Sequence, residues 1–199
     1  MQATTSTNQL ITRYIMTNSA TLSADMAPAL VFNVTVKHNE IIFRTTPAEL
    51  RELVLFLRNS ESYQMSTLVD IQATDRLKTA GRFVVKYAFL STKLNHRCTV
   101  ELAVNEVTSV PSIAGPFFND QRIFASASWL EREVWDLLGI YFSEHGDLRR
   151  ILTDYGFSGH PLRKDFPLTG FSEVVYNDAE GRVTSEPVEL AQEFRVFHL

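Results

Sequence analysis

The chain of 199 residues has a single cysteine, Cys98, and this scarcity excludes several architectures. One thiol cannot form an internal disulfide, and it cannot supply the set of cysteines that holds a zinc ion or an iron–sulfur cluster. Cys98 lies in an alternating strand pattern, which predicts a small buried hydrophobic side chain. The chain also lacks any run of about 18 apolar residues, so no segment is expected to span a bilayer.

The chain also lacks an excess of basic residues and the common catalytic motifs. The chain has 19 Lys and Arg against 23 Asp and Glu, a net charge of −4, and no basic stripe of the kind that nucleic-acid binders present. It contains no Gly-x-Gly-x-x-Gly, no phosphate-binding lysine loop, no His-Glu-x-x-His and no Gly-x-Ser-x-Gly. We therefore predict no catalytic site, no bound cofactor and no metal in this chain itself.

Alternating apolar residues predict five strands and an α+β fold. A helix is predicted after the second strand, because Thr46, Pro47 and Glu49 match a capping box with proline at the first helical position. One helix among five strands favours a largely antiparallel sheet with helices on one face. We assign residues 1–26 to an N-terminal leader or short helix and 27–152 to the α+β domain. The predicted strands are 30–36, 40–44, 65–71, 83–90 and 98–104.

A further helix is predicted to begin near Trp129. Ser128 and Glu131 have the spacing of a second capping box, and Gly139 is a natural stop. One apolar stripe follows from residues spaced three, four and seven apart. Its members are Leu130, Val134, Leu137, Leu138 and Tyr141.

From residue 153 to 199 helical periodicity disappears, yet aromatic residues persist. A disordered tail is usually depleted in such residues, so these side chains are expected to be buried somewhere. We predict a long irregular C-terminal arm that packs on partner subunits, with an arm folded back on its own sheet as the alternative. The aromatic residues are Tyr155, Phe157, Phe166, Phe171, Tyr176, Phe194 and Phe197.

Acids, bases and imidazoles are concentrated between residues 131 and 166. Five of them suggest a hydrolytic metal site, because imidazole and carboxylate suit zinc or iron, but no two histidines lie one helical turn apart, so structural or interface roles are favoured. The basic pairs at 149–150 and 163–164 alternate with apolar residues, which favours protein contact over phosphate binding. The five metal-type residues are Asp136, His145, Asp147, His160 and Asp165.

Two long motifs in this region resemble the thirty-kilodalton hydrophilic subunit of respiratory complex I. The first spans residues 131–152 and the second residues 152–170. The predicted family-signature and subunit-interface residues are Glu131, Arg132, Glu133, Asp136, His145, Arg149, Arg150, His160, Pro161, Arg163, Lys164, Asp165 and Phe166. Looser matches before and after them extend the resemblance over most of the chain.

The resemblance implies a non-redox core scaffold subunit of the peripheral arm of proton-pumping NADH:ubiquinone oxidoreductase. Its partners would be the large quinone-site subunit and iron–sulfur subunits, with NAD, FMN, iron–sulfur clusters and ubiquinone bound by those neighbours. The implied location is the matrix side of the mitochondrial inner membrane, or the cytoplasmic face of a bacterial membrane. A free-standing adaptor and a metal-dependent hydrolase are the alternative functions.

Overall fold

A computed structural model describes residues 30–37, 40–77, 79, 81–115, 123–193 and 195. The leader predicted at 1–26, together with Phe194 and Phe197, lies outside these residues. Five strands follow the predicted alternation closely, which confirms the α+β fold. They are β1 (Asn33–Lys37), β2 (Glu40–Arg44), β3 (Thr67–Asp75), β4 (Phe83–Ser91) and β5 (His96–Val104).

These strands form one sheet in the order β1-β2-β5-β4-β3. Three of its four strand pairs are antiparallel, and β2 pairs with β5 in parallel. Parallel strands need a crossover connection, and here the chain between β2 and β5 includes a helix and two strands. The prediction of a largely antiparallel sheet is thus confirmed, with one parallel pair that the local patterns did not reveal.

The first helix, α1 (Leu50–Asn59), is preceded by a 3-10 turn at Pro47–Glu49. The Thr46 hydroxyl donates to the Glu49 carboxylate at 2.7 Å and caps no backbone N–H, so the capping bond predicted for Thr46 does not form. The apolar stripe of α1 is buried and packs in one cluster with β4 side chains that alternate toward the same face. The stripe consists of Leu50, Leu53, Val54 and Leu57.

The second helix, α2 (Ala127–Leu138), begins two residues before Trp129, with Ser126 at its N-cap position. The capping box predicted at Ser128 is wrong, because Glu131 does not turn back toward the helix start but is fully buried in the core. The stop at Gly139 is confirmed, since its φ of 75° is left-handed and its N–H donates to the Trp135 carbonyl. Val134 and Leu138 join the same buried cluster as α1.

Two short strands and a hairpin complete the described elements. The strands β6 (Val110–Pro111) and β7 (Phe142–Ser143) pair in parallel, and α2 lies between them in the sequence. Residues 150–171 have neither helix nor strand, whereas β8 (Ser172–Asn177) and β9 (Arg182–Pro187) form an antiparallel hairpin. The predicted arm is therefore not irregular throughout. We call residues 150–166 the docked segment and residues 172–187 the tail hairpin.

Cys98 is buried within β5, as its alternating pattern predicted. Burial raises the pKa of its thiol, so the side chain stays protonated and behaves as a small hydrophobic group.

Candidate functional site

Asp136, on α2, is the centre of a hydrogen-bond network that joins the helix to the docked segment. Its carboxylate is fully buried and accepts from three consecutive backbone N–H groups, those of Ile151, Leu152 and Thr153, at 3.2, 2.8 and 3.0 Å. The Thr153 hydroxyl donates at 2.7 Å and the Arg150 guanidinium at 3.1 Å. One carboxylate thus organises the turn at which the docked segment begins.

The environment of Asp136 favours its ionised form. Burial on its own raises the pKa of the carboxyl, but the Thr153 hydroxyl and the three backbone donors outweigh burial and lower the pKa to about 2. Asp136 is therefore a carboxylate throughout the physiological pH range. Its role in this geometry is to bind and orient the following chain.

The C-terminal end of α2 is closed by the docked segment. The His160 ring Nδ1 lies 2.9 Å from the Asp136 carbonyl, the Leu162 N–H donates to the Leu137 carbonyl at 3.0 Å, and Arg163 Nε donates to the Leu138 carbonyl at 2.6 Å. Three carbonyls that a helix end leaves without partners are thus satisfied. Arg163 also places a positive charge at the negative end of the helix dipole.

A second anchor lies at the edge of the sheet, where Asp75 ends β3. Its carboxylate binds Arg82 through two hydrogen bonds of 3.0 and 2.9 Å, and it also accepts the backbone N–H of Lys164 at 2.9 Å. The same arginine forms ion pairs with Asp165, at 3.0 Å, and with Glu106. The Arg82 hydrogen bonds hold the pKa of Asp75 below its usual value.

Aromatic rings pack the docked segment between these anchors. Phe166 lies 5.9 Å from the Phe157 ring centroid, and Arg150 stands over Phe157 at 5.9 Å. A Cβ on Gly159 would lie 2.7 Å from the Phe166 ring, so only glycine allows this approach. The His160 ring meets Trp135 edge to face at 5.6 Å.

Glu131 and His145 form a buried polar pair on the other side of α2. Glu131 accepts from the Ser112 hydroxyl at 2.5 Å and from the Ile113 N–H at 2.9 Å, while its desolvation raises the pKa to about 7. His145 Nδ1 accepts the Asp147 N–H at 3.1 Å, which assigns the ring proton to Nε2, 3.2 Å from the Ser128 carbonyl. Burial lowers the pKa of His145, so this ring is neutral.

The remaining signature residues lie nearer the surface. Arg132 donates to the Arg149 carbonyl at 3.0 Å and stacks on Trp129, while the Arg149 side chain pairs with Asp147 in solvent. Glu133 is exposed, Pro161 is half-buried, and the Lys164 side chain is exposed although its backbone is anchored. The structure thus brings Asp136, Arg150, His160 and Arg163 together and separates them from the Glu131 and His145 pair.

The grouping of the metal-binding types of side chain and the hydrophobicity of the helices also characterise this region. Across residues 30–37, 40–77, 79, 81–115, 123–193 and 195, no three His, Cys, Asp or Glu side chains are grouped so as to hold a metal ion. Within those ranges no helix has both the length and the hydrophobicity needed to cross a membrane. The polar side chains described above bind one another and the backbone, and several of them attach the docked segment to the α+β domain.

A family model for the respiratory-chain NADH dehydrogenase, 30 Kd subunit, matches residues 43–172. The chain belongs to this family. The match covers α1, α2, the sheet from the end of β2 onward and the whole docked segment. Membership in the 30 Kd subunit family confirms the resemblance drawn from residues 131–170, and it favours neither the adaptor nor the hydrolase alternative.

Curated relatives agree with this assignment to the 30 Kd subunit family. The chain is 47% identical over 159 residues to NADH-ubiquinone oxidoreductase subunit 9 of Prototheca wickerhamii, covering 80% of this chain and 79% of the relative. It is 44% identical over 173 residues to subunit 9 of Reclinomonas americana, covering 87% and 81%. It is 48% identical over 170 residues to a bacterial relative, an NADH-quinone oxidoreductase subunit of Dinoroseobacter shibae, covering 85% and 76%.

Sequence reasoning missed the partners that hold the signature residues in place. Asp75 and Arg82, which anchor Lys164 and Asp165, lie about 80 to 90 residues away from them in the chain. Ser112, the partner of Glu131, lies in a stretch without periodicity. The predicted arm starts at residue 153, yet the Thr153 hydroxyl and N–H both bind Asp136 on α2. No local pattern signals any of these contacts.

A second surface runs along the docked segment and the chain that follows it. Most large apolar side chains between residues 152 and 190 are exposed, whereas those of the α+β domain are mostly buried. Tyr155 is fully exposed, and Leu168 and Phe171 are 81% and 71% exposed. The exposed members are Leu152, Tyr155, Leu162, Leu168, Phe171, Val174, Val175, Tyr176, Val183 and Leu190. Large exposed apolar patches are typical of protein–protein contact surfaces.

Proposed function

We propose that this chain is a non-redox core scaffold subunit of the peripheral arm of the proton-pumping NADH:ubiquinone oxidoreductase. The α+β domain and the docked segment form its rigid part, and the chain beyond residue 166 clasps neighbouring subunits. The cofactors held by those neighbours, namely FMN and iron–sulfur clusters, thereby stay at fixed separations. Membership in the family supports the assignment to this enzyme, and the exposed apolar side chains of residues 152–190, called the apolar row below, support the scaffold role.

The polar residues of the candidate site support a structural role. Asp136 uses its carboxylate on three backbone donors, a hydroxyl and an arginine, and His160 and Arg163 serve the helix end. A general acid or base needs a proton that it can exchange with a substrate. Glu131 and His145 are buried and bound to the core, so we propose no catalytic or cofactor-binding role for them.

The partners that we propose are the large quinone-site subunit and the neighbouring iron–sulfur subunits. Signature side chains on the surface, those of Glu133, Arg149, Lys164 and Asp165, are available for such contacts beside the apolar row. The location that we propose is the matrix side of the mitochondrial inner membrane, as a peripheral subunit. Mitochondrial-type relatives from Prototheca wickerhamii and Reclinomonas americana support this location.

The first test identifies the proteins that co-purify with the chain after gentle detergent extraction of membranes. Native-gel separation with in-gel NADH oxidation, followed by mass spectrometry, is expected to find the chain in an active band together with flavin and iron–sulfur subunits. Recovery of the chain only as a soluble monomer would contradict the proposal. Reduction of quinone by NADH with the purified chain alone would contradict it as well.

A pair of variants tests the scaffold surface itself. Leu168→Asp places a charge in the exposed apolar row, and Val107→Asp places one in the turn after β5, where the side chain is 95% exposed. Both isolated chains are expected to fold like the wild type, because neither side chain contributes to the core. Only Leu168→Asp is expected to reduce the amount of chain in the active band.

A further inference from the structure

The tail hairpin has one apolar face. In an antiparallel pair, residues directly opposite each other point to the same side, and the register places Tyr176 opposite Val183 and Val174 opposite Ser185. Val174, Tyr176 and Val183 therefore share a face. These three side chains are 66%, 59% and 62% exposed, so most of that face is open to solvent in the described chain.

Such a hairpin is not self-sufficient. Two strands alone are marginally stable in water, and three or more strands or a packed helix are normally needed for independent stability. The tail hairpin pairs with neither the five-stranded sheet nor β6 and β7. Its apolar face is therefore expected to be buried by another protein chain.

The opposite face of the tail hairpin carries an uncompensated pair of acids. Glu173 lies directly opposite Glu186, and like charges in that position are mutually destabilising. The hairpin's own arginine, Arg182, pairs with Glu180 at 2.6 Å near the turn. Within the described ranges no Lys or Arg lies within ion-pair distance of Glu173 or Glu186, and Glu186 receives only the Thr184 hydroxyl, at 3.2 Å.

The charge of the whole chain is concentrated in this region. Residues 172–193 contain six acidic residues and one arginine, a net charge of −5. The whole chain has a net charge of −4, so all other residues together are close to neutral, at +1. A negative segment of this kind is attracted to a basic protein surface and is repelled by anionic lipid headgroups.

We propose that the tail hairpin inserts into a cleft of the neighbouring subunits, with an apolar wall against Val174, Tyr176 and Val183. The opposite wall presents an arginine or lysine to Glu173 and Glu186. This inference rests on the proposed function, and it adds the chemistry of the partner: a protein cleft with one apolar and one basic wall. The partner's cation removes the repulsion between the two carboxylates.

The test uses the full chain in cells that lack their own copy. Membranes are extracted gently, and the fraction of the chain in the active NADH-oxidising band is measured at several salt concentrations. Glu173→Lys with Glu186→Lys reverses the acid pair. Glu52→Lys with Glu61→Lys is the matched control, because it makes the same charge change at two exposed glutamates outside the tail hairpin.

The reversed pair is expected to lower the assembled fraction about tenfold at low salt, and added salt is expected to reduce the deficit, because screening weakens the new repulsion. The control pair is expected to assemble like the wild type. Val174→Ser with Val183→Ser is expected to lower assembly at every salt concentration, because this variant loses apolar contact area and salt does not screen such a loss. Thermal unfolding of each isolated chain should match the wild type, which excludes misfolding as the cause.

The failures of the two proposals can be told apart. If the wild-type chain assembles and the reversed pair assembles equally well, the cleft proposal is overturned while the scaffold role stands. If the reversed pair and the control pair lose assembly to the same extent, the deficit comes from net charge and the cleft proposal is again overturned. If the wild-type chain never enters the active band, the scaffold role itself fails.

Discussion

The docked segment and the tail hairpin lie on either side of a five-residue link, yet they are held in opposite ways. The docked segment has no regular secondary structure, and its backbone is fixed by Asp136 and Asp75 of the α+β domain. The tail hairpin has regular strands, and its large apolar side chains are 41% to 66% exposed in the described chain. Regular structure therefore does not identify the rigid part of this protein; partners for backbone and side chains do.

The physical cause of this difference is the placement of buried acids. A buried carboxylate must be satisfied by several donors, and a stretch of irregular chain supplies free N–H groups that match this need. Asp136 and Asp75 each take backbone donors from the docked segment. No acid of the domain reaches the tail hairpin in the part of the chain described, so the tail hairpin has no anchor of this kind there.

The largest expected effect comes from Asp136→Ala, which would give the docked segment the freedom of the tail hairpin. The substitution leaves Arg150 and three backbone donors without their acceptor, at a cost of about 3–5 kcal/mol in the free energy of unfolding. Chemical denaturation measures the loss, and limited proteolysis should show new cleavage between residues 150 and 166. Asp154→Ala, an exposed acid in the same segment, is the control. An unchanged cleavage pattern in the Asp136 variant would contradict the anchor role.

The two buried acids of α2 should respond to pH in opposite directions. Glu131 has a folded-state pKa raised to about 7 from an ordinary 4.5, so its stabilising contribution is fully present below pH 4.5 and is lost as pH rises through 7. Asp136 has a pKa lowered from 3.8 to about 2, so its contribution is present above pH 3.8 and is lost as pH falls toward 2.

The variant Glu131→Gln isolates the Glu131 contribution. Relative to this variant, the wild type is expected to lose about 3 kcal/mol of stability between pH 4.5 and pH 8, because 1.4 kcal/mol corresponds to one pKa unit. Urea unfolding at a series of pH values measures the difference. Parallel stability curves for the two proteins would show that Glu131 is not titrating in this window.

The sequence predicted the fold where local periodicity decides it, and it failed where distant contacts decide it. The strands and α1 follow from alternation and spacing, and Gly139 correctly predicts a helix stop. The capping box at Ser128 failed because the Glu131 side chain satisfies Ser112 and Ile113 in the core. That contact joins residues almost 20 positions apart, and a local motif cannot report it.

The candidate site divides in the same way. The motif residues were found from the family resemblance, since their types and order are conspicuous within residues 131–166. The roles of these residues could not be predicted in this way. Asp136 binds residues 151–153 and Asp75 binds Lys164, and both contacts depend on how the chain returns to the domain. The docked segment folds back on the domain, whereas packing of the arm on partner subunits stays a prediction.

Gly139→Ala should loosen the docked segment at the helix end. Its φ of 75° costs a residue with a Cβ about 1–2 kcal/mol, and the added Cβ would lie 2.5 Å from Arg163 Nη2 and 2.6 Å from the His160 ring. With weakened capping bonds, the total loss is about 2–3 kcal/mol. Gly139→Asn separates the two causes, because asparagine tolerates the left-handed conformation but keeps the collision. Thermal unfolding of both variants should therefore show similar losses if the collision dominates.

The smallest effect gives the sharpest contrast between the two regions. Phe166→Ala removes a half-buried ring that packs on Phe157, which should cost the isolated chain about 1–2 kcal/mol. Tyr176→Ala removes a ring that is 59% exposed, so the isolated chain should change by less than about 0.5 kcal/mol. Assembly into the NADH-oxidising complex should reverse this order, with Tyr176→Ala the more defective variant, because we propose that a partner buries the apolar face of the tail hairpin. Equal assembly of both variants would show that the partner does not cover Tyr176.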